Sequence, residues 1–259
     1  MVEVRKRVKE IDRAVDQSRI RIKDSEDLKA IDGVFDTSTL KTLYHLANKG
    51  YIDVLGGVIS TGKEANVFHA LGCERKQEIA VKVYRISTSN FRAMQSYLIG
   101  DPRFKNIRHE KRSIVFTWTK KEMRNLKKAN SAGVRVPKPF DTRNNVLLME
   151  FIGGDEIPAQ QLRVVPLTRD QAQEAYDTTM DYVRKLYQAN LVHSDLSEFN
   201  ILMDGSEVVF IDMGQSVTLD HPNAMEFLAR DIQNVVRFFR KKGVRIDDGD
   251  TVLDTVLVQ

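Results

Sequence analysis

The sequence predicts an α+β fold in two lobes, a small strand-rich one followed by a helical one, and three observations carry that expectation. Runs with apolar residues two apart crowd residues 58–84, the glycine pair Gly153-Gly154 closes an apolar strand, and beyond that pair the apolar spacing becomes helical. At 259 residues, with 42% hydrophobic and 29% charged side chains, the chain can bury a sizeable core in one domain or two lobes and lies outside the composition of disordered chains.

Taken in order, residues 1–50 read as a helical extension: Val8, Ile11 and Val15 recur at helical spacing, as do Leu40, Leu43, Tyr44 and Leu46 before Gly50. The strand-rich lobe is expected over 51–151. Residues 58–70 and 78–84 alternate as paired strands. Residues 85–112, rich in Ser, Asn, Arg and Lys and broken at Gly100-Asp101-Pro102, read as a long mobile insertion with some helix. Strong helix formers fill 118–130 and stop before Ser131-Ala132-Gly133. Pro137 and Pro139 frame an extended stretch, and 146–152 is an apolar strand ending at the glycine hinge. The helical lobe is expected over 152–259, with a long helix at 169–190, a polar loop at 193–200, short strands at 201–203 and 208–211, and a helix at 225–241.

The formal net charge of +4 permits a nucleic-acid surface without establishing one. Between Arg103 and Lys128, ten basic residues stand against Glu110 and Glu122, which reads either as a solvated basic face or as a surface that meets phosphate backbone. The single cysteine, Cys73, sits in a turn-like stretch and has no partner for an intramolecular disulfide, which fits a reducing, cytoplasmic setting. No apolar run reaches the roughly 18 residues of a membrane span, and the N-terminus lacks the apolar stretch of a secretory signal.

Chemistry concentrates in three places. Segment 191–202, LVHSDLSEFNIL, holds His193, Asp195 and Asn200, with the carboxylate and amide five residues apart between a helix and a strand. In phosphoryl transfer of the kinase type, such an Asp orients the nucleophile and takes its proton, while the Asn reaches a metal on the phosphates. The run VVFIDMGQ then puts Asp212 just past a buried strand, where its carboxylate can bind Mg. Lys82 lies in the strand IAVKV, turned by alternation away from Val81 and Val83, and Glu122 in the following helix is its natural ion-pair partner. Upstream, GVISTGKE at 57–64 nearly matches a P-loop, but Glu64 replaces the metal-binding hydroxyl and a strand follows where a helix is needed. Ser60, Thr61, Gly62 and Lys63 are therefore expected to form a phosphate-covering turn between two strands. Alone, each piece has a plainer reading: Asx turns for Asp195 and Asn200, a solvent-facing Lys82, a helix cap at Asp212, a shape-holding His193. Their joint order makes coincidence the weaker account.

With those residues assembled, the chain resembles the RIO atypical protein kinases, in particular the first subfamily, whose nucleotide loop reads STGKEA as residues 60–65 do here. STGKEANVFHA, IAVKVY, KKEMRNL, VPKP, LLMEFIGG, LVHSDLSEFNIL and IDMGQSV stand in family order from about Asp53 to Arg240. The resemblance implies a minimal bilobal protein-kinase-like fold of RIO type. It implies Asp195 as catalytic base, Asn200 and Asp212 as metal ligands for Mg or Mn, and Lys82 as phosphate contact. It makes Met149 the gatekeeper, gives the adenine of ATP to the backbone of Glu150 and Ile152, and counts Val67 and Ala80 among the nucleotide contacts. The family is also thought to accept phosphate on the aspartate corresponding to Asp212 and to act, with the precursor of the small ribosomal subunit and its RNA, in ribosome maturation. The sequence departs from ordinary protein kinases: it has no GxGxxG loop, HSD stands for HRD and DMG for DFG, and residues 213–259 are too few for an activation segment with substrate-docking helices. Three functions follow as expectations: a serine/threonine kinase acting at least on itself, an ATPase switch that releases from pre-ribosomes through aspartyl-phosphate at Asp212, and a non-catalytic ATP-holding ribosome-binding module.

Overall fold

The computed structural model of the protein describes residues 35–72, 76–87, 91–104 and 110–258, with the backbone alone at Arg21–Ile22. The helical spacing of Val8, Ile11 and Val15, the turn at Cys73, and Lys105 and Arg108 of the basic stretch lie outside the described residues. The chain divides into two compact units, residues 1–90 with 140–151, and residues 91–139 with 152–259.

Among the described residues, the first unit holds a six-stranded sheet and one helix. Asp36 caps helix α1 (Thr37–Asn48), its carboxylate accepting the backbone N–H and the hydroxyl of Thr39, each at 2.7 Å. Strands β1 (Arg21–Ile22), β2 (Val54–Thr61), β3 (Ala65–Gly72), β4 (Gln77–Tyr84), β5 (Pro139–Arg143) and β6 (Val146–Glu150) assemble in the order β1-β2-β3-β4-β6-β5. Strands β2, β3, β4 and β6 pair antiparallel, and β2 carries register shifts around Val58. Parity divides the sheet into two faces. Phe68, Ala70, Ile79, Val81, Val83, Val146 and Leu148 share one face and pack with Leu43, Leu46 and Ala47 of α1 into the unit's core. Each large side chain buried there contributes roughly 1.5–3 kcal/mol relative to exposure.

The second unit opens with α2 (Phe91–Leu98), a 3₁₀ turn (Pro102–Phe104) and α3 (Lys111–Ser131). The stretch 85–112, read from its polarity as an insertion, thus contains a helix that buries Met94 and Leu98, with Tyr97 edge-on to Trp118 of α3. Helix α3 begins well before the expected 118 because Ile114, Val115 and Trp118 extend its buried stripe one turn and more upstream. After the paired β7 (Gly153–Gly154) and β8 (Ile157–Pro158), β9 (Gln160–Gln161) joins β10 (Ile201–Asp204) and β11 (Glu207–Phe210) in a second sheet. Gly153 is required here: at φ 136°, a Cβ would lie 2.2 Å from the Ile157 carbonyl oxygen. Thr168 and Gln171 close a capping box on α4 (Arg169–Gln188). Helix α5 (Ala224–Lys241) follows, then α6 (Gly249–Leu257), a short helix the spacing did not announce, capped by Asp248 and holding Val252 and Val256 inward. Among the described residues, no helix is long and apolar enough to cross a membrane.

Candidate active site

In the first unit, register gathers the expected nucleotide residues. Val67 pairs with Lys82 and Ala80 with Met149, and residues 80 and 82 point to the same side, so all four lie on the face opposite the α1 core. Lys82 is only 7% exposed and its Nζ lies 5.2 Å from the Tyr84 ring centroid. Ser60 and Thr61 end β2 opposite Val67 and Asn66, and Gly62 turns the chain by donating its N–H to the Ala65 carbonyl at 2.9 Å; Lys63 is exposed at the tip. A strand follows this turn, as the rejected P-loop match required. Met149 and Glu150 are half-buried, and the Ile152 carbonyl accepts the Ala159 N–H at 2.9 Å.

The second unit carries Asp195, Asn200 and Asp212. The β10–β11 hairpin turns at Gly205 (φ 60°) with Asp204 opposite Glu207 and Ile201 opposite Phe210. Its open ends therefore meet, and the Ile211 N–H donates to the Asn200 carbonyl at 3.0 Å, bringing the two loops of the candidate site side by side. The Asn200 amide nitrogen donates to the Asp195 carbonyl at 2.7 Å and to Asp195 Oδ2 at 3.2 Å, and Gln215 Nε2 donates to the same oxygen at 3.1 Å. Burial, reinforced by the Asp212 charge, raises the Asp195 carboxyl above its ordinary value, against the Asn200 bond and the Arg230 charge.

This arrangement fits a hard cation. With the Asn200 nitrogen committed to Asp195, its oxygen is turned away as an acceptor, and the exposed Asp212 supplies a carboxylate. Among the described residues, no group of three His, Cys, Asp or Glu side chains could hold a metal, so an ion here would complete its shell with water and phosphate oxygens, the habit of Mg.

The loops are held from behind by His193, whose plainer reading was shape-holding, and by groups the sequence reading did not single out. Ser194 and Asp212 adopt left-handed backbone, φ 70° and 62°, a conformation non-glycine residues keep only where surroundings impose it. Asp231 of α5 accepts the N–H groups of Ser194 at 2.7 Å and Leu196 at 2.8 Å, while Arg230 donates to the Ser194 carbonyl at 2.7 Å. Burial pushes Asp231 up to about 7 although both N–H bonds favour its ionised form. His193 donates from Nε2 to the Ile211 carbonyl at 3.0 Å, which fixes the peptide entering Asp212 and leaves Nδ1 unprotonated. Burial lowers the His193 imidazole to about 4. Beyond Asp212, Lys121 of α3 donates to the carbonyls of Gly214, at 2.8 Å, and Ser216, and Asn125 Nδ2 donates to those of Met213 at 2.7 Å and Ser216 at 2.9 Å. Burial, with the Arg103 charge, lowers Lys121 to about 7, while Asp101 and Glu122 oppose it. Glu122 itself is buried on α3 at 1% exposure.

A signal for these residues was present in the sequence. Asp231 interrupts the apolar stripe of Leu228, Ile232 and Val235, and Lys121, Glu122 and Asn125 interrupt that of Trp118, Leu126 and Ala129. Polar groups at core positions of an amphipathic helix are costly unless they have partners, so each marks a partner elsewhere in the chain.

Comparison with known proteins gives the family. The RIO domain family matches residues 66–252. The RIO-type serine/threonine-protein kinase Rio1 of Haloferax volcanii is 49% identical over 245 residues, covering 95% of this chain and 83% of its own. Its counterpart in Methanocaldococcus jannaschii is 43% identical over 223 residues, 85% of this chain and 74% of its own. The human serine/threonine-protein kinase RIO1 is 41% identical over 243 residues, but this chain spans only 43% of its length. Among solved structures, a Rio2 kinase–ADP/Mg2+–phosphoaspartate complex from Chaetomium thermophilum shares the fold, with a TM-score of 0.61, 23% identity, and coverage of 82% of this chain and 64% of that one. The strand-rich first unit and the helical second unit are thus those of a kinase-like fold, and the chain belongs to the RIO family of atypical protein kinases, of the Rio1 type.

Proposed function

We propose that the chain transfers the γ-phosphoryl group of Mg-ATP to serine or threonine hydroxyls, its own among them. The observation that carries this is the Asn200 amide, which braces Asp195 through its nitrogen and offers its oxygen beside the Asp212 loop. Asp195 takes the proton of the acceptor hydroxyl as its oxygen bonds to the γ-phosphorus and ADP leaves. The raised carboxyl of Asp195 makes it a better proton acceptor than a solvated aspartate. Asn200 and Asp212 would hold Mg, which neutralises phosphate charge when bound. Lys82 would contact the phosphates under the turn of Ser60, Thr61, Gly62 and Lys63. Val67, Ala80, Met149 and the backbone of Glu150 and Ile152 would surround adenine.

A second reading is favoured by the chain after Asp212. Met213, Ser216 and Val217 turn directly into the core, Val217 bridging to Val192, and α5 begins at Ala224, so little chain remains there to dock a peptide. In that reading the Asp212 carboxylate bonds to the γ-phosphorus, ADP leaves, and water cleaves the acyl phosphate, giving an ATPase switch; the fold neighbour was solved with a phosphoaspartate. A role on the precursor of the small ribosomal subunit is supported by the exposed Lys120, Arg124 and Lys127 along one face of α3.

The test is labelled ATP and Mg with wild type and Asp195→Asn, following label on hydroxyls, acyl phosphate and free phosphate. Hydroxyl label reduced roughly 100-fold or more in the variant, with ATP still bound, supports the kinase. Acyl phosphate and free phosphate with little hydroxyl label support the switch. A variant within fivefold of wild type on every product refutes Asp195 as base.

A further inference from the structure

We infer that Arg103, held by Asp101, is a positioning residue for the transfer site: through the Asn125 amide it fixes the loop that follows Asp212. This rests on the proposed function only for its consequence on turnover.

The chain of contacts is continuous and lies within the second unit. Asp101 is 2% exposed and grips Arg103 by a fork, Nε to Oδ1 at 2.9 Å and Nη2 to Oδ2 at 2.7 Å, while the Arg103 backbone N–H also reaches Oδ1 at 3.0 Å. Pro102 and the 3₁₀ turn hold the two side chains in this geometry. The remaining arm, Nη1, donates to Asn125 Oδ1 at 2.8 Å. Asn125 has no exposure to solvent, and its nitrogen serves two loop carbonyls, Met213 and Ser216. A guanidinium can only donate and a carbonyl can only accept, so these partners leave the amide a single orientation. Without Arg103, the orientation that clamps the loop strands a buried amide oxygen, and the clamp weakens. Lys121 holds the same loop at Gly214 and Ser216 but touches neither Arg103 nor Asn125 through a hydrogen bond, so it does not replace this control.

Two features make this more than packing. The catalytic loop has an anchor of its own, Asp231 on α5, besides the Gln215 side chain and the Val192–Val217 bridge that join it to the loop after Asp212. The Arg103 turn also follows α2, which is tied to the end of the same loop by His221 Nε2 to the Ser96 carbonyl at 3.2 Å, and to α5 by Tyr97 against Phe227. Loosening the 91–104 segment therefore acts on the loop after Asp212 through Asn125.

The test is amide hydrogen exchange read by mass spectrometry on wild type, Arg103→Met and Arg103→Lys, alongside turnover across a Mg titration. In Arg103→Met, peptides covering 213–218 are expected to exchange roughly tenfold faster or more, with those covering 194–200 unchanged. Arg103→Lys keeps a charge for Asp101 but has no second arm for Asn125, so its exchange should be intermediate. Turnover in Arg103→Met should need more Mg, with the ATP KM at saturating Mg unchanged. Wild-type exchange at 213–218 in Arg103→Met overturns the inference, as does equal acceleration of 194–200. If Arg103→Met does not fold because Asp101 is left as a buried unpaired charge, Asp101→Asn with Arg103→Met removes that charge and the same peptides decide. Accelerated exchange in a protein whose wild type transfers no phosphate overturns the proposed function and not the positioning role.

Discussion

His193 should make the protein acid-sensitive over a defined window, and its size follows from the site. The ring is 2% exposed and donates from Nε2 to Ile211, and burial lowers it to about 4 from an unfolded value of 6.5. A lowered imidazole binds its proton less readily in the folded state, so stability is complete above 6.5 and declines as pH falls toward 4. Integrating proton uptake between those values gives a loss of about 2 kcal/mol at pH 5 and about 3 kcal/mol at pH 4. Asp231, raised to about 7, has the opposite slope over part of this range, so a matched variant separates the two contributions. The comparison is with His193→Gln, which keeps an N–H for the Ile211 carbonyl and does not titrate. Urea denaturation of both proteins at intervals from pH 7.5 to pH 4 should show wild type losing about 3 kcal/mol relative to the variant. A stability difference that changes by less than about 1 kcal/mol across the series would refute the assignment of a neutral, buried His193.

Asp231→Ala orphans the N–H groups of Ser194 and Leu196 and should destabilise by about 2–5 kcal/mol in urea melts, with turnover lost even where the protein remains folded. A loss under about 0.5 kcal/mol would show those bonds to be dispensable. Lys121→Met leaves the Gly214 and Ser216 carbonyls without their ammonium. Because burial lowers Lys121 to about 7 from 10.5, the folded-state penalty on its charge is full below 7 and relieved as pH rises toward 10.5. The stability advantage of wild type over Lys121→Met should therefore grow between pH 7 and pH 9, and a flat difference would refute it.

Element types and their order were legible in the sequence because they depend on neighbours in the chain. Alternation along IAVKV turned Lys82 away from Val81 and Val83, and the structure puts those valines in the α1 core and Lys82 on the other face. The spacing of Asp195, Asn200 and Asp212 was equally local, since a hairpin with a tight Gly205 turn brings its two flanks together whatever surrounds it. At 85–112, read as an insertion with some helix, polarity gave no hint that the helix buries Met94 and Leu98, and α6 went unread because its sequence turns only Val252 and Val256 fully inward.

What only the tertiary structure decided is the choice of partner. Asp231 and Lys121 are visible as polar interruptions of apolar stripes, but nothing local says that one takes the N–H groups of Ser194 and Leu196 and the other the carbonyls of Gly214 and Ser216. The proposed reacting groups Asp195, Asn200 and Asp212 are open or half-open to solvent and sit on loops with strained backbone, while the buried charges that hold those loops come from helices tens of residues away. A sequence determines which groups must find partners, because burying them alone costs too much; which partners they find is fixed only when helices, hairpin and turn close on one another.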